Sequence, residues 1–459
     1  MGPAASCRTH RAGTVTTAPD AGREVGTVDT LVYIGGAVLF FALIMVSIAL
    51  HEIGHMVPAK LFGVKVTEYF VGFGKTLASW RRGETEYGFK LLPLGGYVRL
   101  VGMFPPDREN RVRSGSSNPI AGLIDASRDA EWAEISPEDD GRLFYQKKTW
   151  QKLIVMACGP LTNIVLAFFI LWGVTGLYGV YESQPVVSRV DECIIPAEET
   201  GRPCRPGDPE TPAHAMGLQP GDRIVDFNGT PIVEWKQMQT LIRANLDQPA
   251  TITVERGGER VVLPTVDTLI NEVPDLDSPS RTVQAGFLGV APTSERVTGG
   301  PGMVAEQMGD MTVKTFHALG RFPVMVYDTA ADLVTGRERD PYGPMSIVGA
   351  SRAAGEISST DQISAGDKVA SFVSLIGSVN LFVGLFNFVP LLPLDGGHIL
   401  GAIIEWIRRQ GARLFSRPDP GHLDTAKFLP LTYAVFAFIT LSGVILIAAD
   451  LISPIRLFG

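Results

Sequence analysis

Four long runs almost free of charge constrain this chain more than any other feature. Residues 31–50, 153–180, 369–394 and 428–449 carry no Asp, Glu, Lys or Arg. A helix rises about 1.5 Å per residue, so each run is long enough to cross a hydrocarbon layer of roughly 30 Å. Within lipid a backbone must satisfy its own polar groups, which a helix does. The expected fold is therefore an α-helical polytopic membrane protein with four transmembrane helices. The first run is too long for a secretion signal and lacks a small-residue cleavage pattern before His51, so it reads as a retained span. Over all 459 residues the hydrophobic share is only 45%, which leaves room for at least one soluble domain. The net charge of −8, with no long basic block, argues against nucleic acid as a partner.

Charge near the span ends predicts orientation. Twelve Lys and Arg flank the first-to-second and third-to-fourth connections, against six on the opposite side. Positive charge favours the cytoplasm, which puts both termini and the long 181–368 region outside. The chain then divides into a polar disordered leader (1–29), a first span (30–62), a membrane-associated β element (63–104) and a polar cytoplasmic insert (105–148). A second span (149–181) leads to a soluble α+β domain (185–268) and an extracytoplasmic connection (269–368). The third transmembrane segment (369–407), a cytoplasmic loop (408–427) and a fourth span (428–452) complete it. The β element rests on "TEYFVGFGKTL" and "TEYGFKLLPLGGYVRLVGM", where aromatic and β-branched residues are broken by glycines. Within the connection, residues 303–333 have amphipathic helical spacing. Cys193 and Cys204 lie in the region assigned outside, where an oxidised pair can persist, while Cys158 reads as packing.

The first span ends in "HEIGH", placing His51, Glu52 and His55 on or near lipid. Histidines four apart share a helix face and can bind one cation, and the Glu beside them can serve as general base for a zinc-activated water. An accidental H-E-x-x-H on a soluble helix is the bland alternative, but burying three such groups in a membrane uncoordinated is strongly unfavourable. A tetrahedral catalytic zinc needs a third ligand and an open position. Glu68 and Glu84 follow nearby in the strand-like segment; Asp395, in "NFVPLLPLDGGHIL" at the end of the third run, is the stronger candidate because a carboxylate at that depth needs a partner. Pro390, Pro393, Gly396 and Gly397 break the helix around it. His398, three residues on, reads as a packed polar residue before a proton carrier; His214 and His317 read as surface residues, and His10 and His422 suggest no chemistry.

With "HEIGH", "GPLTN" in the second run, a single soluble domain and "LDGG" in the third, the chain resembles a bacterial site-2 protease. This is an intramembrane zinc metalloprotease of the regulator-of-sigma-E-protease type. The resemblance implies that His51, His55 and Asp395 ligate Zn2+ and that Glu52 is the catalytic base. Asn387 is then expected to bind the substrate backbone, and Asn163 in "GPLTN" to help or else to bond between helices. The β element becomes a re-entrant, cytoplasmic-side element that pairs with the unwound substrate, Gly72 and Gly74 allowing close approach. The 185–268 domain becomes PDZ-like and filters substrates by size. Expected substrates are single-span membrane proteins, such as anti-sigma factors already trimmed outside, or remnant signal peptides. A non-catalytic membrane scaffold binding partners through the PDZ-like domain is the alternative, and a metal or ion transporter is a further rival. Both are disfavoured by the complete ligand-and-base set.

Overall fold

A computed structural model describes residues 27–105, 132, 135–195, 202–275 and 282–458. Most of the expected leader, with Cys7 and His10, and the middle of the expected 105–148 insert lie outside the described residues.

Each apolar run forms a helix. The first is α1 (Thr27–Leu61), the second α2 (Thr149–Leu177), and the last α8 (Leu429–Ile452). The third run forms α6 (Ala365–Asn387), and these four helices are long and apolar enough to cross a membrane. Their outward faces carry exposed Leu39, Val46, Phe169 and Val444, a pattern suited to lipid rather than water. Inside the bundle, Phe40 and Ile44 of α1 pack on Ile376 of α6 and Ala354 of α5 (Ile347–Ser359). Ala167 and Leu171 of α2 meet Leu381 and Leu385 of α6, joined by Val304 and Met308 of α4 (Pro301–Thr335). The amphipathic spacing over 303–333 is thus realised as α4.

The third segment, 369–407, is broken where its prolines and glycines predicted, and the break falls before Asp395. Helix α6 stops at Asn387, a turn covers 388–394, and a separate helix, α7 (Asp395–Leu414), begins. Pro390 and Pro393 have no N–H to continue the ladder. Gly396 and Gly397 fold back on that turn: a Cβ on Gly396 would strike the carbonyl oxygens of Phe388 and Val389. Asp395 therefore opens α7 instead of ending the span.

Between α1 and α2 lies the hairpin of β1 (Val66–Arg82) and β2 (Thr85–Leu100). Both strands bend, so that Phe70 faces Tyr97 on one side and Gly88 on the other, and Val71 faces Gly96 and Phe89. The stretch 96–100 consequently lies along α1, where a Cβ on Gly96 would come within 3.3 Å of Glu52 Cγ. Tyr69 Oη donates to the Ala49 carbonyl at 2.9 Å and ties the sheet to α1.

The soluble domain is a sheet in which residues 290–297, 180–190, 223–227, 252–256 and 259–262 lie side by side in that order, with residues 230–231 pairing on 223–227. The strands are β3 (Val180–Val190), β4 (Arg223–Phe227), β5 (Ile252–Arg256), β6 (Glu259–Val262) and β9 (Val290–Val297). Helix α3 (Trp235–Ala244) covers a core that includes Ile224, Phe227, Met238, Ile252 and Val254. A separate hairpin, β7 (Leu269–Pro274) with β8 (Thr282–Phe287), follows. The expected limits 185–268 thus fall short, because β9 completes the sheet against β3 and Leu288 belongs to the core. Asp222, buried at the start of β4, accepts from Arg256. Cys193 and Cys204 form the disulfide that their location suggested.

Candidate metal centre

The helical repeat of α1 sets His51 and His55 on one face, and both are buried. His55 is held from behind: its Nδ1 lies 2.8 Å from the Val155 carbonyl oxygen of α2. A carbonyl can only accept, so Nδ1 carries the proton and Nε2 presents a lone pair forward. That pair points at His51 Nε2, 3.2 Å away. Asp395 Oδ2 lies 3.2 Å from each of the two Nε2 atoms. Among the described residues this is the one group of His, Cys, Asp or Glu side chains with three ligand atoms gathered in this way.

The His55 lone pair and the buried Asp395 oxygen, facing each other at this distance, repel unless a cation or proton stands between them. Zinc bonded at about 2.0–2.1 Å in a tetrahedron has ligand–ligand edges of roughly 3.3–3.4 Å. The 3.2 Å triangle fits that figure closely and leaves the fourth corner open. Nitrogen and carboxylate donors are also the set zinc prefers.

Glu52, half-buried next to His51, turns toward the hairpin, where the Val98 backbone N–H interacts with it. The base candidate thus sits between the ligand helix and the 96–100 strand. Glu68 and Glu84, the nearer carboxylates, are engaged elsewhere: Glu68 accepts from Tyr97 Oη at 2.6 Å, and Glu84 pairs with Arg142.

Other expected residues fall into place unevenly. Asn387 is the last residue of α6, half-buried, and its Nδ2 donates to the Val383 carbonyl at 3.1 Å. Asn163 is fully buried on α2, and neither amide atom has a hydrogen-bond partner among the described residues. It faces Gly384 of α6, so it has no open path to a peptide in this arrangement. Gly72 and Gly74 adopt positive φ, and a Cβ on Gly72 would lie within 2.9 Å of the Lys90 and Leu92 carbonyls. The close approach at Gly72 is therefore to its own hairpin. His398 lies one turn along α7, half-buried, near Asp395 and His55. His214 pairs with Glu210 on the surface, and His317 is exposed.

Two residues went unnoticed in the sequence. Gly54 of α1 and Gly159 of α2 let these helices touch: a Cβ on Gly54 would meet the Cys158 carbonyl at 2.6 Å, and one on Gly159 would overlap the His55 ring. Gly54 lies inside "HEIGH" and Gly159 opens "GPLTN", but contact between two helices is not legible from either motif alone. Outside the spans, the Lys65 ammonium, 2.8 Å from Asp139, and the Ser136 backbone N–H hold the Asp139 carboxyl down at about 2. This pair fastens the entry to β1 against the segment preceding α2.

A family model described as peptidase family M50 matches residues 39–416. The chain is 33% identical to the zinc metalloprotease Rip1 of Mycolicibacterium smegmatis, covering 92% of this chain and 98% of that protein. Rip1 of Mycobacterium tuberculosis is 31% identical over 93% of this chain and all of its own length. A putative zinc metalloprotease of Agrobacterium fabrum is 25% identical over 82% of this chain and 87% of that protein.

Proposed function

The chain belongs to peptidase family M50, the site-2 proteases, and is a zinc metalloprotease of the membrane; from that premise we propose how its residues divide the work. His51, His55 and Asp395 hold the zinc, Glu52 is the general base, and the bond cut lies in a transmembrane segment of a single-span protein. The observation that carries this reading is the buried triangle of two imidazole nitrogens and one carboxylate oxygen, joined from helices of a four-span bundle.

Zinc, when bound, supplies the Lewis acidity that polarises a scissile carbonyl and makes water nucleophilic near neutral pH. The protein does the rest. Val155 fixes the His55 tautomer, so that Nε2 is always the ligand atom. Glu52 takes a proton from the attacking water and returns it to the leaving amine. A membrane helix hides its carbonyls in its own hydrogen bonds, so the substrate must be extended before attack. The 96–100 strand, running beside Glu52, is placed to accept that extended chain by strand addition. Asn387, at the end of α6, is the candidate side chain for steadying the substrate backbone near the cut.

The sheet domain, read as PDZ-like and outside the cell membrane together with both termini, filters substrates by the size of their external part. Membrane-anchored anti-sigma factors trimmed outside, or remnant signal peptides, have the required form. The test is Glu52→Ala in a cell-based cleavage assay with zinc content measured in parallel. Cleavage should fall by about 10²–10⁴-fold with zinc retained. Undiminished processing would instead favour a scaffold.

A further inference from the structure

The described residues contain a further buried ionic cluster, apart from the metal centre, that the proposed chemistry does not use. Glu405 of α7 and Lys152 of α2 are 4% and 5% exposed. Lys152 Nζ donates to both Glu405 oxygens at 3.2 Å. The same carboxylate meets His422 Nδ1 at 3.3 Å, Arg409 at 3.3 Å and the Leu423 backbone N–H at 3.1 Å. Arg409 also lies 3.1 Å from His422, and 3.6 Å from Asp419. The His422 ring packs edge-on against Tyr145.

This cluster ties together two helices that meet the metal centre. Lys152 is one helical turn before Val155, whose carbonyl orients His55, and two turns before Gly159, which admits the His55 ring. Glu405 is on the helix whose first residue is Asp395. Apolar packing alone gives α7 little purchase. Apart from Glu405 its buried residues are Gly396 and Ala402, while Leu400, Ile403, Trp406 and Ile407 are exposed. A helix held by so few apolar contacts can slide or turn, and an ion pair satisfied from several directions fixes its register.

We propose that Lys152 and Glu405 are positioning residues that set α7 against α2 and so hold Asp395 at ligand distance from His51 and His55. The proposal rests on the ligand assignment above. Neither residue touches zinc or substrate. Groups hydrogen-bonded directly to a ligand change metal affinity by roughly 10–100-fold when lost, and a support acting through the helix is expected to reach into that range.

The experiment measures zinc affinity of the full-length, detergent-solubilised protein by competition with a chromogenic chelator, alongside helix content and thermal unfolding. Glu405→Gln and Lys152→Met should weaken zinc binding by roughly 10–100-fold, and Lys152→Arg should stay near wild type. The paired Lys152→Met/Glu405→Met variant removes both buried charges together, leaves Arg409 to Asp419, and should still bind zinc weakly because no directional contact joins α7 to α2. It decides the matter should a single variant fail to fold. Wild-type affinity in that pair, or in folded Glu405→Gln, overturns the proposal if Asp395→Ala has lost zinc. Wild-type affinity in Asp395→Ala overturns the ligand assignment itself, and the proposal with it.

Discussion

The side chain at position 159 is a single hydrogen, and that is what lets His55 stand where it does. The ring occupies the space that a Cβ would fill. Gly159→Ala should therefore push α2 from α1 or rotate His55 off the Val155 carbonyl. We expect zinc affinity to fall by at least about tenfold, as for other lost supports of a ligand, checked by chelator competition on protein whose helix content is unchanged. Charge sets a second residue-scale expectation, at Asp139. Its pKa is lowered to about 2 by the Lys65 hydrogen bond and the Ser136 N–H. A carboxyl lowered on folding adds stability that is fully present above its unfolded value of about 3.9 and is lost as pH falls through the folded value. Thermal unfolding followed from pH 5 to pH 2 should show that loss, and Asp139→Asn should be less stable at pH 5 and flatter below it. A slope identical in the variant would mean that other carboxyls carry the acid sensitivity. At this scale the sequence was eloquent about His51, Glu52 and His55, whose spacing is local. It was silent about His422, whose role comes from Glu405 and Arg409 meeting it in space.

Among the elements, the bent hairpin and the broken third segment matter most. The 96–100 stretch is paired with 66–71 on one side and lies along α1 on the other, with the Val98 N–H at Glu52. Val98→Pro removes that N–H, the one donor its backbone offers. Cleavage should drop by at least about tenfold, the scale of one lost backbone donor at a reacting centre, while zinc content stays that of wild type. Parallel measurement of both quantities checks it, and intact cleavage would remove strand addition from the scheme. The pattern of aromatic and β-branched residues announced strands here, since alternation is local. It could not announce the bends, which arise from which strand each half finds as partner. The interruption at 388–394 was legible through its prolines and the glycines that follow it. The fact that Asp395 begins a new helix was not, because helix restart depends on the fold-back of Gly396 and Gly397 onto the turn.

For the whole molecule, the sheet domain offers the clearest experiment. Its last strand, β9, pairs with β3, so an excision confined to 185–268 would leave one strand without its neighbour. Removing residues 180–297 with a short linker respects the sheet. If the domain filters by size, the shortened protein should cut substrates whose external part is untrimmed, read by immunoblot of tagged full-length and trimmed substrates. Continued refusal of the untrimmed form would show that selection lies elsewhere. What the sequence determined unaided was the set of local commitments: four candidate spans from uncharged length, a candidate ligand pair and base from helical spacing, a breaker from proline and glycine. Each depends on neighbours along the chain, where backbone geometry is fixed. Only the tertiary structure decided which distant groups meet: Asp395 with the histidines, Val155 and Gly159 behind His55, Lys152 under Glu405. Those contacts join residues up to several hundred positions apart, and it is packing between helices, absent from any local pattern, that brings them to bonding distance.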